Sequence, residues 1–198
     1  MPKILKINSE NPEEEKIKLA REVLNKGKII IYPTDTVYGI GCSIQSKNIN
    51  KIFNIKKRKR NPLSVAFPDM KTLKEYVTMD DEQEEFINKN QAKAYTFILK
   101  KKGTCKIKIP DEITFGETVG VRIPNNKIVK ELIKNSHPII TTSANISGNP
   151  AAASYDEIAD EIKDNCDVSL IIDSGRCKIG KPSVVVDLTR KPFKFLRE

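Results

Sequence analysis

The segment from Lys28 to Phe67 contains two short apolar runs, which are separated by polar, glycine-containing and cationic residues. The first run, Ile29–Tyr32, has the length and β-branched content of a buried strand. Pro33 has no N–H group to donate to a neighbouring strand, so this strand is predicted to end there. Residues 63–67 form the second run and predict another strand. This pattern predicts two buried strands with polar residues gathered at their ends.

Small polar residues follow the first strand directly. Thr34, Asp35 and Thr36 offer short side chains that can bind a ligand. Gly39 and Gly41 are predicted to form a turn in which the backbone can approach a ligand closely. A strand end with hydroxyls and glycines, followed by a basic loop and another strand, is a plausible site for a phosphorylated small molecule.

Five consecutive cations occupy positions 56–60, ahead of the second strand. Three interpretations of this run are open. It is a solvated charged loop, a binder of the RNA backbone, or a clamp for a triphosphate. The net charge of +9 does not choose between them, because lysines are spread along the whole chain.

The rest of the chain alternates between helical and strand patterns. Helices are predicted over residues 12–25, 48–55, 127–135 and 155–163, with two short helices within 70–90 that separate at 79–81. Further strands are predicted over residues 94–100, 119–123, 139–142, 168–172, 183–188 and 193–196. Helices of crossover length favour parallel pairs, whereas the last two strands follow each other directly. We therefore expect an α/β (α+β) fold, one domain over residues 1–198, with a central twisted mixed sheet flanked by helices.

The composition indicates a protein of the cytoplasm. No apolar run approaches the ~20 residues that cross a bilayer, and the N-terminus lacks the apolar core of a secretory signal. The four cysteines, Cys42, Cys105, Cys166 and Cys177, lack the spacing of a zinc or redox motif. We expect them to be small buried thiols in a reducing compartment, and we expect no protein metal site.

Classical nucleophilic catalysis has few candidate residues in this chain. His137 is the only histidine, so a Ser-His-Asp or Cys-His mechanism would depend on it; the alternative is a loop histidine ahead of Pro138. The sequence contains neither a Gly-x-x-x-x-Gly-Lys-Ser/Thr loop nor a Gly-x-Gly-x-x-Gly fingerprint. An enzyme with this sequence would work mainly by orienting reactants and neutralising developing charge.

Two later segments add candidate binding groups. Arg122 stands between Val121 and Ile123, so its side chain points to the opposite face of a strand, either to solvent or into a groove. Residues 141–148 read TTSANISG and concentrate hydroxyl and amide groups in one short loop. These groups either cap the backbone of a turn or offer hydrogen bonds to a ligand.

Four segments together resemble the YrdC-like threonylcarbamoyl-AMP synthases, in the short form without an additional C-terminal domain. The residues that carry the resemblance are PTDTVYGIG at 33–41, Lys56-x-Arg58 with Asn61-Pro62-Leu63, SANISG at 143–148, and the closing stretch from 171 to 197. The resemblance covers residues 7–197. It implies a YrdC-like fold with a concave basic groove.

The resemblance also implies a reaction. L-threonine, bicarbonate or CO2 and ATP would give threonylcarbamoyl-AMP and pyrophosphate by nucleotidyl transfer, with Mg²⁺ accompanying ATP. The product would pass to the tRNA threonylcarbamoyl-transfer machinery, which makes threonylcarbamoyladenosine in tRNA.

The site residues follow position by position from the same resemblance. L-threonine would be held by Thr36, Arg122, Thr141 and Ser183. ATP would be held by Lys56, Arg58, Asn61, Thr118, Ser143, Asn145, Ser147 and Arg197. Lys56 and Arg58 would also be catalytic, as cations that neutralise the departing pyrophosphate. Lys59 stands where the family often has proline, which leaves open whether Arg58 or Arg60 makes the main phosphate contact.

Two rival functions stay open at this stage. The basic run and the net charge fit a protein that binds double-stranded RNA or tRNA, although aromatic residues make up only 6% of the chain. A paralogue of the same fold would instead act on threonylcarbamoyl-adenylate or in carbamoyl transfer.

Overall fold

The computed structural model describes residues 1–59, 62–105 and 107–197. The strands are β1 (Lys3–Lys6), β2 (Ile29–Tyr32), β3 (Gly39–Ser43), β4 (Ser64–Ala66), β5 (Val77–Thr78), β6 (Tyr95–Lys101), β7 (Thr118–Arg122), β8 (Ile139–Ser143), β9 (Val168–Asp173), β10 (Val184–Asp187) and β11 (Lys194–Arg197). The helices are α1 (Glu14–Asn25), α2 (Ile49–Ile55), α3 (Met70–Tyr76), α4 (Asp81–Asn90), α5 (Lys127–Ile133) and α6 (Asp160–Lys163), with a short 3-10 helix at Asp111–Ile113.

The strands form one mixed sheet in the order β1-β9-β2-β3-β8-β4-β7-β6-β10-β11, and β5 pairs with β6. The pairs β1–β9, β9–β2, β4–β7 and β6–β10 are parallel. The other neighbours along the path are antiparallel. The expected α/β fold with a mixed sheet flanked by helices is confirmed.

One face of the sheet packs against α2, α3 and α4 in a large apolar core. Ile52, Leu73 and Ile87 from the three helices belong to the same buried cluster as Phe97 and Val121 from the sheet. Each helix presents its apolar positions to this face, as the helical spacing of the sequence predicts. This core fixes which side of each central strand points inward.

The opposite face is only partly covered by helices. Leu24 of α1 and Leu132 of α5 pack with Ile30, Tyr32 and Ile139 in a second core over the β1 side of the sheet. Towards β4, β7, β6 and β10 the same face carries polar or small residues and borders a cavity. Strand β8 runs from the second core into this cavity, so one face serves both packing and binding.

The predicted turn at Gly39 and Gly41 is wrong, because both residues lie in the buried strand β3. Strand β3 pairs with β2 on one side and β8 on the other. A Cβ atom on Gly41 would stand 2.2 Å from the carbonyl oxygen of Ile140, so close strand packing requires glycine there. These glycines therefore allow close packing between neighbouring strands of the sheet.

The helix predicted over residues 155–163 is also wrong over its first half, since only α6 is helical. The side chain of Glu157 accepts a hydrogen bond from the Ala153 backbone N–H at 2.8 Å, and Ile158 N–H bonds back to Tyr155. These local bonds hold a turn in place of a helix. Strands β1 and β5 were not predicted; β1 is short, largely exposed and held by its parallel pairing with β9.

The cysteine expectation is confirmed for two of four positions. Cys42 and Cys177 are buried, Cys105 is half-buried, and Cys166 is exposed, which contradicts its expected burial. Cys166 lies in the turn before β9 and does not belong to either apolar core. Every helix within the described part of the chain is too short or too polar to cross a lipid bilayer.

Candidate functional site

A cavity of about 1000 Å³ opens on the partly covered face of the sheet. Hydroxyl groups and cations dominate its polar lining. The serine and threonine residues of the lining are Thr34, Thr36, Ser64, Thr96, Thr118, Thr141, Thr142, Ser143, Ser183 and Thr189. The cationic residues are Arg58, Arg122, Arg190, Lys194 and Arg197. Such a lining suits an anionic ligand that also carries hydrogen-bonding groups.

Arg122 is held at the inner wall of the cavity by two neighbours. Its Nη2 donates to both carboxylate oxygens of Asp35, at 3.0 and 3.1 Å, and its Nη1 donates to Thr36 Oγ1 at 3.0 Å. The Asp35 side chain is 6% exposed and that of Arg122 is 13% exposed. The guanidinium is therefore fixed in position before any ligand arrives, and its remaining donors, which have no partner among the described residues, can bind an anion.

The loop after β2 is shaped by the hydroxyl of Thr34. Its Oγ1 accepts from the backbone N–H groups of Thr36 and Val37, at 3.0 and 3.2 Å, and donates to Val37 O at 2.7 Å. A threonine directly after Pro33 thus closes a local turn. This turn aims Asp35 and Thr36 at Arg122.

Ser183 links the start of β10 to the last strand. Its Oγ lies 2.8 Å from Thr96 Oγ1, and Arg197 donates to Ser183 O at 2.9 Å and to Ser183 Oγ at 3.2 Å. These two bonds keep Arg197 on the cavity wall, although it lies close to the C-terminus.

Three guanidinium groups act on each other in this cavity. Burial lowers the pKa of Arg58, and the charge of Arg197 lowers it further. Burial likewise lowers the pKa of Arg197, and the charge of Arg122 adds to the effect. Because the three like charges disfavour each other, a bound anion would relieve their repulsion.

Lys56 is buried behind the cavity and does not line it. Its Nζ donates to Ser143 O at 2.5 Å, to Asn145 O at 2.7 Å and to Asn145 Oδ1 at 3.3 Å. Burial lowers the pKa of Lys56 to about 8, with a further contribution from Arg58. Lys56 therefore joins the end of α2 to the loop after β8. Ser147, which is exposed, donates its backbone N–H to Lys56 O on the same loop.

The loop after β8 both caps its own backbone and faces the cavity. Ser143 Oγ donates to Asn145 Oδ1 at 2.5 Å, and Asn145 Nδ2 donates to Ile146 O and Asn149 O at 3.0 and 2.6 Å. Ser143 and Asn145 nevertheless line the cavity. Both interpretations of the TTSANISG stretch therefore describe part of its geometry.

The four described cations after α2, at positions 56–59, separate in space. Lys57 pairs with Glu161, Arg58 lines the cavity, and Lys59 is exposed. Arg60 and Asn61 lie outside the described residues, so the choice between Arg58 and Arg60, and the role of Asn61, stay predictions. A run that is uniform in sequence thus has at least three different environments.

Nine of the predicted site residues line this one cavity. They are Thr36, Arg58, Thr118, Arg122, Thr141, Ser143, Asn145, Ser183 and Arg197. His137 is half-buried before β8 and is not among the lining residues, which favours the loop histidine.

Sequence reasoning missed several residues of the site. Asp35 was noted only as a small polar residue, and no sequence pattern pairs it with Arg122, which is 87 positions away. Phe115 is 77% exposed at the cavity mouth, although large apolar residues are usually buried. Other polar lining residues that sequence reasoning did not single out are Ser64, Thr96, Asp187, Thr189, Arg190 and Lys194.

Comparison with known protein sequences gives one consistent family. Residues 22–198 match the Sua5–YciO–YrdC family, whose description is "Telomere recombination". A Methanocaldococcus jannaschii protein, whose name assigns threonylcarbamoyl-AMP synthase activity provisionally, is 39% identical over 99% of this chain and 92% of its own length. The threonylcarbamoyl-AMP synthase of Pyrococcus abyssi is 35% identical over 95% of this chain and 55% of its own length. The chain thus spans little over half of the Pyrococcus relative.

Solved structures with the same fold include Sua5 and YciO. P. abyssi Sua5 complexed with L-threonine matches 98% of this chain and 56% of its own, with 33% identity and a TM-score of 0.86. Escherichia coli YciO matches 100% of this chain and 96% of its own, with 31% identity and a TM-score of 0.87. Among protein sequences, YciO of Escherichia coli strain K12 is 32% identical to this chain, and its name is "Uncharacterized protein YciO".

Proposed function

Since the chain belongs to the Sua5–YciO–YrdC family, we propose that it is an L-threonylcarbamoyladenylate synthase, a nucleotidyltransferase. The observation that supports this most is the single cavity shared by Thr36, Arg122, Arg58 and Asn145, which come from four separate segments. In this proposal the cavity takes L-threonine, bicarbonate or CO2 and ATP, and releases threonylcarbamoyl-AMP and pyrophosphate in the cytoplasm.

The inner wall would bind the amino acid. Arg122, fixed by Asp35, meets the carboxylate of L-threonine with its free donors, and Thr36, Thr141 and Ser183 surround it. Discrimination between threonine and serine depends on how tightly this corner packs around one methyl group, which is worth about 1 kcal/mol or more.

The outer part of the cavity would bind ATP. Arg58 and Arg197 face the phosphates, with Ser143, Asn145 and Thr118 alongside them. Lys56 then acts from behind, by holding the backbone of Ser143 and Asn145 in place. In this proposal Lys56 does not contact the nucleotide directly, as the resemblance implied, but supports the loop after β8.

The chemistry would proceed in two bond-forming steps. The ammonium group of L-threonine loses a proton to solvent, and the neutral amine attacks the carbon of CO2. A second proton leaves the nitrogen for solvent, which gives the carbamate. A carbamate oxygen then attacks the α-phosphorus of ATP in line, and pyrophosphate leaves as the bond to the β-phosphate oxygen breaks. The guanidinium groups stabilise the charge that develops on the leaving pyrophosphate, which is the main catalytic contribution of the protein.

Mg²⁺ would enter with the triphosphate. The two carboxylates nearest the cavity are already engaged, Asp35 by Arg122 and Asp187 by Arg190 and Thr189. A metal ion held chiefly by phosphate oxygens and water fits this arrangement. Its chemistry would be to neutralise phosphate charge and to orient the β- and γ-phosphates.

Two other functions have specific support. The similarity to YciO is as extensive as that to Sua5, so a related reaction in the same cavity is the second candidate. The net charge of +9 supports the binding of double-stranded RNA or of the tRNA that receives the product.

An adenylate assay, together with a measurement of RNA binding, separates adenylate synthesis from RNA binding. The protein is incubated with ATP, Mg²⁺, bicarbonate and one of several amino acids, and the adenylate is detected by mass. We expect an adenylate with L-threonine and far less with L-serine. Salt-dependent RNA binding without ATP turnover would instead favour the RNA-binding function.

Arg58 tests the electrostatic part of the proposal. We expect Arg58→Ala to lower threonine-dependent pyrophosphate release at least about tenfold, because a charge-assisted phosphate contact is worth about 1.5–3 kcal/mol. The melting temperature should change little, since among the described residues this side chain makes one hydrogen bond, a long contact to Pro62 O at 3.4 Å. Lys59→Ala, an exposed neighbour, is the control. Unchanged pyrophosphate release in Arg58→Ala would remove the role of Arg58.

A further inference from the structure

The hydroxyl of Tyr32 extends from within the second core to Thr141, a residue that lines the cavity. Tyr32 lies at the end of β2 and is 1% exposed, with its ring packed among the residues that contact α1 and α5. Its hydroxyl donates to Thr141 Oγ1 at 2.6 Å. Burial raises the pKa of Tyr32 to about 12, so the phenol is protonated at physiological pH and has a hydrogen to donate.

This bond determines the direction of the Thr141 hydroxyl. A threonine hydroxyl has one hydrogen and two lone pairs, so it can accept and donate at the same time. Because Tyr32 donates to Thr141 Oγ1, the hydrogen of Thr141 must point elsewhere. Thr141 lines the cavity, and its Oγ1 has no second partner among the contacts of the described residues.

Gly39 keeps the path between the two side chains open. It pairs with Tyr32 across β2 and β3. A Cβ atom at this position would stand 3.3 Å from both Thr141 Oγ1 and Tyr32 Cζ. Glycine therefore allows the ring to pass over β3 and reach β8.

Arg122, like the Thr141 hydroxyl, offers hydrogen-bond donors to this part of the cavity. Arg122 lines the same cavity as Thr141, and its charge lowers the pKa of Tyr32 against the effect of burial. Arg122 also donates to Thr36, on the same wall of the cavity. The corner thus combines a cation with a hydroxyl hydrogen, an arrangement that suits an oxygen carrying negative charge.

We propose that Tyr32 is a positioning residue, which orients the Thr141 hydroxyl as a donor to a carboxylate oxygen of the amino acid substrate. The inference rests on the proposed function, because it assumes that an amino acid occupies this corner. Tyr32 does not line the cavity, so it would affect substrate affinity only through the Oγ1 atom of Thr141.

A double-mutant cycle tests this role. The dissociation constant of L-threonine is measured by calorimetry for the unmodified protein, for Tyr32→Phe, for Thr141→Val and for the double variant. Tyr32→Phe keeps the ring and removes only the hydroxyl. We expect it to weaken binding about 3–10-fold, the range for losing one oriented neutral hydrogen bond. In the Thr141→Val background, Tyr32→Phe should have no further effect.

Tyr76→Phe is the matched control. Tyr76 is buried in the first core against Phe67, and it is not among the residues that line the cavity. Its substitution should leave the L-threonine dissociation constant unchanged. Thermal unfolding of each variant shows that it is folded before binding is measured.

The outcomes separate the inference from the function on which it rests. An equal loss of affinity from Tyr32→Phe in both backgrounds, or no loss in either, would overturn the positioning role and leave the proposed function intact. Failure of the unmodified protein to bind L-threonine would overturn both. A loss confined to the background that retains Thr141 supports the role of Tyr32.

Discussion

Arg122→Met is expected to destabilise the protein through Asp35. The two side chains form an ion pair that is almost removed from solvent, with 13% and 6% of their surfaces exposed. Removing one partner leaves a buried charge without compensation, which costs about 3–5 kcal/mol. For a chain of this length each kcal/mol lowers the melting temperature by about 2–4 °C. We therefore expect Arg122→Met to melt about 6–20 °C below the unmodified protein.

A second variant separates stability from binding. Adding Asp35→Asn to Arg122→Met removes the remaining charge and retains the shape of the side chain. We expect the double variant to regain a large part of the lost stability, because the cost arises from the unpaired carboxylate and not from lost packing. Neither variant should be stabilised by L-threonine, since both lack the guanidinium that would bind its carboxylate.

Thermal unfolding with and without L-threonine measures both effects in one experiment. The unmodified protein should melt at a higher temperature when L-threonine is added, whereas both variants should not. If Arg122→Met melted within about 2 °C of the unmodified protein, the ion pair would not contribute as argued. If the double variant were no more stable than the single one, the unpaired charge would not be the cause.

Two further predictions concern stability. Burial lowers the pKa of Lys56 to about 8 from 10.5. In the unmodified protein this group therefore raises the free energy of unfolding by up to about 3 kcal/mol as the pH rises from about 8 to about 10.5. Lys56→Met should remove this pH-dependent increase. Urea unfolding of both proteins at about pH 7 and about pH 10 measures that gain, and an identical gain in Lys56→Met would contradict it. Gly41→Ala should prevent normal folding or lower the melting temperature by more than about 10 °C, because its Cβ would stand 2.2 Å from a backbone oxygen of β8. Gly103→Ala has no heavy atom within 4 Å of the added Cβ and should melt close to the unmodified protein; similar melting of the two alanine variants would refute the strand packing described for Gly41.

The pattern of neighbouring residues in the sequence was sufficient to predict most of the helices and strands. The run IIIY, the stop at Pro33 and the helical spacing of α1, α2 and α5 follow from side-chain size, branching and backbone hydrogen bonding over a few residues. The mixed sheet also followed, because crossover-length helices and directly joined strands impose different pairings. The error at Gly41 arose because a distant residue, Ile140, packs against it. The error over residues 155–159 arose because local side-chain and turn hydrogen bonds, such as that from Ala153 N–H to Glu157, replace the helix.

The sequence by itself determined the kind of site that this chain contains. Hydroxyl-rich loops, arginines and the motifs shared with a known family predicted nine of the polar residues that line the cavity. These features are local, because each depends on residue type and on a few neighbours in the chain.

Only the tertiary structure decided which of these groups faces the cavity and what holds each one. It paired Arg122 with Asp35, turned Lys56 inward towards Ser143 while Arg58 lines the cavity, and brought Tyr32 to Thr141. The physical reason is that hydrogen-bond direction and burial depend on strand register and on which face of the sheet is covered. Both are set by contacts between residues about a hundred positions apart.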